Sequence, residues 1–420
     1  MNVLHLNTFM AGGAASGAYR LHSALRRMGV NSKILVQSKT TADEDVIAVP
    51  MNFWEKIEDR FDHRVLSWFT RDTEQGKYYF LPMPFFSRQD DRILSAVPFR
   101  PDLLIVHWTT AFADVRTMDI ISRRYNIPVI WYMSDMEPMT GGCHYAFDCN
   151  EFATGCCHCP AVRGLFQGYV RALWQKKKKY LANMRMAVIA SSSFMLHKAQ
   201  ASGVFEGKSL ALVWRGIDDK IFAPAIDRKA LRAKWNVEND TIVLCFGSQS
   251  LKEKRKGTEV LIRALKVLYE KLQDDELQKR VEIVFAGGNA GIQKKLLFSS
   301  KYMGVLKTQQ DLADMYRMAD IFICPTLQDS GPMMVSEALM CGTPVVGFPM
   351  GVLQDVVLEG KTGAIAALGD SNELAAAMER MIRLPAEERL EMARQCRSFA
   401  MKNLTYQRQA EQVLRLAAAI

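Results

Sequence analysis

At 420 residues the chain exceeds what one compact core of ordinary size accommodates, so two domains of about 200 residues each are expected. Hydrophobic residues make up 49% and charged residues 24%, a globular composition that excludes extended disorder. The net charge of +9 suits anionic partners such as nucleotide diphosphates or lipid headgroups. The basic residues are dispersed and no recognition module is present, so nucleic acid is not an expected partner. No apolar run reaches the roughly 18–20 residues that span a bilayer, and the chain opens directly into Val3-Leu4-His5-Leu6, so neither membrane spanning nor secretion is expected.

The run 3–6 predicts a buried strand, the Gly12-Gly13 loop leads into an amphipathic helix over about 16–28, and 32–37 predicts a second strand. That order opens a parallel doubly wound sheet, whose ligands sit at the carboxyl ends of the strands. The aromatic and charged segment 51–98 reads as an insertion. Strands follow at 103–106 and 129–132, with a helix at 115–125 between them. The lysine run 176–179 falls in a helix over 166–184 and reads as a solvated face or as a contact to a membrane surface or acidic acceptor. Strands at 186–190 and 211–214 complete this half, and 215–224 reads as a hinge.

The pattern then restarts, with strands at 241–246, 281–286, 321–324 and 344–347 and helices at 258–273, 312–319 and 335–340. The fold class is therefore α/β, two Rossmann-like doubly wound domains facing across a cleft, with boundaries 1–213 and 214–395. The C-terminal helix, 396–420, is placed back on the first domain. An interdomain cleft is the default ligand site of such a chain.

The most informative segment is PTLQDSGPMMVSEALMCGTPVV, residues 325–346. Pro332 stands where a first helical residue belongs, because its missing N–H would have had no helical partner. Gly331, Met333 and Met334 then form a helix N-terminus whose N–H groups and partial positive charge suit a diphosphate, and Gly342 ends the helix. Asp329 lies before the helix and Glu337 about a turn and a half inside it, so the two acids flank the phosphate seat. Otherwise Asp329 is a helix cap and Glu337 an exposed carboxylate.

This segment resembles the signature of retaining glycosyltransferase family 4, in which two acids separated by seven residues precede a small apolar pattern. Glu337-Ala338-Leu339, Gly342, Pro344, Val345 and Val346 match it, whereas Asp329 stands where that family has glutamate. Arg215-Gly216-Ile217-Asp218 resembles its Asn-Gly-Ile-Asp turn, and Arg255-Lys256-Gly257 its Lys-Gly phosphate loop. Tyr316, Ala319-Asp320 and Pro325 match the step before the acids. The family's arginine after the strand glycine is Ser248 here. The resemblance implies the two-domain GT-B fold and a donor such as a UDP- or GDP-linked sugar. It assigns Lys256 and Arg255 to the diphosphate, Asp329 to the donor sugar and Glu337 to the ribose, with no catalytic cofactor. It also implies Gly12 and Gly13 facing the donor phosphates; the insertion 51–98, from its composition, reads as acceptor-side structure.

The stretch WYMSDMEPMTGGCHY, 131–145, is similar to a bacterial exopolysaccharide and O-antigen subgroup in which His-Asp-Met-Trp-Pro-x-Thr-Gly-Gly-Cys-His-Tyr is typical. The subgroup's first histidine is Ser134 here, which leaves Asp135, His144 or His107 to cover its polar role, or implies altered donor geometry or weakened activity. A glycan or lipid-linked acceptor and a cytoplasmic protein peripheral to the inner membrane face follow from the same resemblance. A nucleotide-sugar epimerase or a degenerate nucleotide- or glycan-binding scaffold stays open.

Nine cysteines are present, five of them at Cys143, Cys149, Cys156, Cys157 and Cys159. Without an export signal, thiols or metal ligands are expected rather than a disulfide framework. Cys143, Cys149, Cys156 and Cys159 offer the ligands of one tetrahedral structural zinc, with His144 as a substitute ligand and free thiols or redox-formed disulfides as the alternatives.

Overall fold

The computed structural model describes residues 1–10, 12–69, 89–273, 275–288 and 290–420. Part of the expected insertion, 70–88, lies outside the described residues. The chain forms two compact units, the first being Met1–Gly216 with Tyr406–Ile420 and the second Ile217–Thr405.

The first unit is built on β1 (Asn2–Phe9), β2 (Asn31–Ser38), β3 (Val46–Ala48), β4 (Leu103–Val106), β5 (Val129–Tyr132), β6 (Met186–Ala190) and β7 (Ser209–Leu212). Its seven-stranded sheet runs β3-β2-β1-β4-β5-β6-β7, parallel throughout. The central strands read LLIV, VIWY and MAVIA and are buried at every position, as a sheet covered on both faces requires. Alternate residues feed opposite cores. Leu104, Val106, Val129, Trp131 and Val188 pack on one side, and Leu103, Ile105, Ile130, Tyr132 and Ile189 on the other.

The C-terminal helix Tyr406–Ala418 closes the second face with Tyr406, Ala410 and Val413. Gln409 fixes it there, donating to the Tyr132 hydroxyl at 3.0 Å and accepting from Gly216 N at 2.9 Å. The preceding helix, Ala386–Asn403, stays in the second unit because Arg397 donates to the carbonyls of Met340 at 2.7 Å and Phe222 at 2.8 Å.

The second unit carries β8 (Ile242–Ser248), β9 (Val281–Gly287), β10 (Ser299–Tyr302), β11 (Ile321–Cys324), β12 (Val345–Gly347) and β13 (Gly363–Ile365) in a parallel sheet ordered β10-β9-β8-β11-β12-β13. Both sheets reverse direction of growth beside their first strand. The switch points lie between β1 and β4 and between β8 and β11, where the strand ends leave a crevice for ligands.

Two expectations are corrected. The glycine pair is not a loop before the helix; Gly12–Arg27 is helical from its first residue, and Gly12 takes a φ of +86° that glycine tolerates. The lysine run is not one solvated face. In the helix Phe166–Ala182, Lys176 bonds Asp114 at 2.5 Å and Lys177 is buried against Glu137, because these carboxylates lie on the elements packed beneath that helix. Lys178 does face outward, pairing with the exposed Glu206 at 2.9 Å.

Candidate active site

In the second unit, two loops meet at the switch point. One follows β8 and contains the turn Lys254–Lys256, ending at Gly257; the other follows β11 and runs through Asp329 to the helix Met333–Met340. Backbone bonds join them, since Arg255 O accepts from Leu327 N at 2.8 Å. Gly257 makes that approach possible: a Cβ there would stand 1.8 Å from Pro325 O.

The junction concentrates charge. Asp329 Oδ2 accepts from Lys256 Nζ at 2.6 Å and Arg255 Nη1 at 3.0 Å, while Oδ1 accepts from Gly331 N at 3.1 Å. Burial pushes the Asp329 carboxyl up, but the charges of Lys256 and Arg255, with the hydrogen bonds from Lys256 and Gly331, outweigh it and bring it down to about 2. Arg255 also pairs with Glu253 at 2.6 Å. The sequence motif therefore assembles Lys256, Arg255, Asp329 and Gly331 in one place.

The adjoining helix begins one residue later than Pro332, which is the N-cap with φ −63° and ψ 111° and offers no side-chain cap. This corrects the placement of Pro332 as a first helical residue: with ψ extended it leads into the helix from outside. Asp329 does not cap the helix either, because its carboxylate is spent on Gly331 and the two cations. Met333 and Met334 occupy the first turn, half-buried. Glu337 is not an exposed carboxylate; it is 2% exposed and accepts from the Tyr316 hydroxyl at 3.2 Å. Gly342, at φ +80°, ends the helix in the left-handed conformation.

One neighbour escaped the sequence reading. A Cβ on Gly351 would lie 3.0 Å from Asp329 O and 3.1 Å from Gly331 N, so this glycine lets a further loop close over the acid. Its signal was the Pro349-Met350-Gly351 turn following β12.

At the switch point of the first unit, Gly12 and Gly13 are exposed in the first turn after β1. His107 is 2% exposed, stacked on His5 at 5.2 Å with its Nε2 2.9 Å from His5 Nδ1; burial, with the nearby Arg215 and His22 charges, lowers its pKa to about 3. It is a neutral, interior ring. Asp135 meets His144 Nδ1 at 2.7 Å, both buried, and accepts from Glu137 N at 2.9 Å. Arg215 was read only as part of a turn, yet it donates to Ser134 Oγ at 3.1 Å, lies 5.0 Å over the Tyr132 ring, and occupies the space a Cβ on Gly17 would need. Two departures from the family pattern, at 134 and 215, are thus in contact.

The cysteines Cys143, Cys149, Cys156 and Cys159 line one cavity, and Cys157 does not. Among the described residues, no group of three or more His, Cys, Asp or Glu side chains is drawn into metal-binding geometry.

The second unit is similar to known proteins. Residues 240–383 match the family model for glycosyl transferases group 1. That stretch holds Arg255, Lys256, Asp329, Gly331, Tyr316 and Glu337. A D-inositol 3-phosphate glycosyltransferase of Saccharomonospora viridis is 31% identical over 199 residues, 44% of this chain and 45% of the relative. The chain thus spans less than half the length of such curated relatives, the one from Nocardiopsis dassonvillei included at 43%. Among solved structures, the Anabaena protein HepE in complex with UDP-glucose aligns over the whole of both chains with a TM-score of 0.66 at 15% identity. WaaG, a glycosyltransferase involved in lipopolysaccharide biosynthesis, aligns over 99% of both chains with a TM-score of 0.64 at 12% identity. The fold is that of the GT-B glycosyltransferases, two parallel-sheet Rossmann-like domains.

Proposed function

We propose that this chain is a retaining glycosyltransferase that moves a sugar from a nucleotide-diphosphate donor, UDP- or GDP-linked, to a glycan or lipid-linked glycan in cell-surface polysaccharide biosynthesis. The observation that carries this reading is the cluster of Lys256, Arg255 and Asp329 at an uncapped helix N-terminus, with the buried Glu337 inside that helix. The family match over 240–383 supports it, as do the names of the relatives and the UDP-glucose held by HepE.

The chemistry follows from charge. In the resting site Glu253 and Asp329 compensate Arg255 and Lys256. An entering diphosphate supplies the negative partners instead, and Asp329 is released toward the donor sugar's hydroxyls. As the glycosidic bond breaks, Lys256 and the helix N-terminus stabilise the growing charge on the departing diphosphate. Glu337, positioned by Tyr316, accepts from the ribose. In the first unit Gly12 and Gly13 keep backbone open to phosphate, and Arg215, on Ser134, supplies the polar contact that the subgroup's histidine makes. Asp135 positions His144, while His107 lies behind them at the carboxyl end of β4, in the middle of the sheet. Retention rests on the family resemblance.

A peripheral membrane contact fits this acceptor class. Trp54, Phe61 and Trp68, spaced by seven along the helix Phe53–Phe69, are 70%, 67% and 77% exposed. Among the described residues no helix is long and apolar enough to cross a membrane. The names of the curated relatives favour a second acceptor, inositol 3-phosphate.

The test is a transfer assay pairing UDP- and GDP-linked sugars with a lipid-linked glycan, a free glycan, inositol 3-phosphate or no acceptor. Acceptor-dependent product with the donor's anomeric configuration is expected. An epimerised sugar formed without any acceptor would establish the epimerase reading instead, and nucleotide binding without turnover would establish a scaffold.

A further inference from the structure

The cysteine-lined cavity carries an inference independent of the transfer reaction. Its volume is about 10 Å³, room for one water-sized particle and no organic ligand. Four of its lining residues are Cys143, Cys149, Cys156 and Cys159, contributed by three separate turns between β5 and the helix Phe166–Ala182.

The turns themselves are held rigidly. Gln167 clamps Cys159 from both sides, accepting from its N–H at 2.6 Å and donating to its carbonyl at 2.9 Å. Cys156 adopts φ +54°, a left-handed conformation that a non-glycine residue holds at a cost, and its N–H is fixed to Glu151 O at 2.8 Å. Gly141 packs so tightly on the Phe166–Ala182 helix that a Cβ would lie 2.5 Å from Val170 O. Positive charge is nearby on Lys198, which reaches Asn150 Oδ1 at 3.4 Å, next in sequence to Cys149, and on Lys177, buried against Glu137.

We infer that Cys143, Cys149, Cys156 and Cys159 bind one zinc ion as a closed tetrahedral thiolate site. Binding would release four S–H protons and form four Zn–S bonds of about 2.3 Å, which requires the four side chains to turn together into the cavity that they line. With all four positions taken by sulfur, the ion is structural and leaves no place for water or substrate. Its role is to fasten the 134–144 loop, since Cys143 adjoins His144, the partner of Asp135, and that loop also carries Ser134 beneath Arg215.

The experiment uses the full chain expressed with zinc in the medium and purified without chelator. Elemental analysis is expected to find about one zinc per chain, and titration with an organomercurial to release it as four thiols are consumed. Cobalt grown in its place should give the visible absorption of tetrahedral thiolate coordination. Cys157→Ser should keep the metal and Cys159→Ala should lose it; because the latter variant can also fail to fold, the wild-type titration decides. Zinc below a fifth of an equivalent with every thiol freely alkylated, or two thiols missing as a disulfide in unreduced protein, would overturn the inference.

Discussion

Replacing Lys256 with methionine is expected to lower the transfer rate constant by about 10²–10³-fold, the range seen when one preorganised donor to a developing anion is removed. The argument is local. Lys256 is one of two cations on Asp329, and the diphosphate gains charge as it leaves, so the ammonium is worth more in the transition state than in the bound ground state. The loss should fall on kcat more than on the donor KM. Lys256→Arg keeps the charge and should recover a large part of the rate. A Lys256→Met enzyme within threefold of wild type, in steady-state assays at saturating donor, would remove Lys256 from the mechanism.

The second large effect concerns folding. Gly257→Val should cost more than about 3 kcal/mol, adding left-handed strain on a β-branched residue to a backbone collision. Gly257 has φ +70°, and its Cβ would stand 1.8 Å from Pro325 O and 2.8 Å from Pro325 C, so the loops that bring Arg255 to Asp329 would have to part. Gly360 supplies the control, with φ +71° and nothing within 4 Å of a Cβ. Gly360→Val should show the strain alone, about 1–2 kcal/mol. Equal losses in the two variants, measured by chemical denaturation, would mean that the close approach at Pro325 contributes nothing.

How far the sequence revealed this architecture depended on burial. β4, β5 and β6 were read almost to the residue, because a strand covered on both faces must be continuously apolar. The strands missed were β3, β10 and β13, and β7 was shifted by two residues; all four are sheet edges. β10 reads SSKY with its first residue exposed and the rest half-buried, and nothing in that pattern distinguishes it from a loop.

The site divides in the same way. Asp329, Gly331, Glu337 and Gly342 were legible because the helix start, the acid spacing and the terminating glycine all lie within one segment. Arg215 was not, because its meaning arises from Ser134 and Gly17, which are distant in sequence and brought beneath it only by the sheet. The lysines at 176 and 177 misled for a related reason. A charge run looks solvated until the elements bearing Asp114 and Glu137 are packed against it.

Calorimetric titration of the wild type and Glu337→Ala with UDP and GDP tests the donor site most directly. One nucleotide should bind the wild type, and the substitution should weaken it by more than about tenfold, roughly 1.4 kcal/mol, because it removes the carboxylate proposed to hold the ribose that both nucleotides share. Tyr316→Phe, which leaves the carboxylate in place, should weaken it less. Failure of either nucleotide to bind folded wild-type protein, or equal affinity in wild type and Glu337→Ala, would contradict a donor site at this helix.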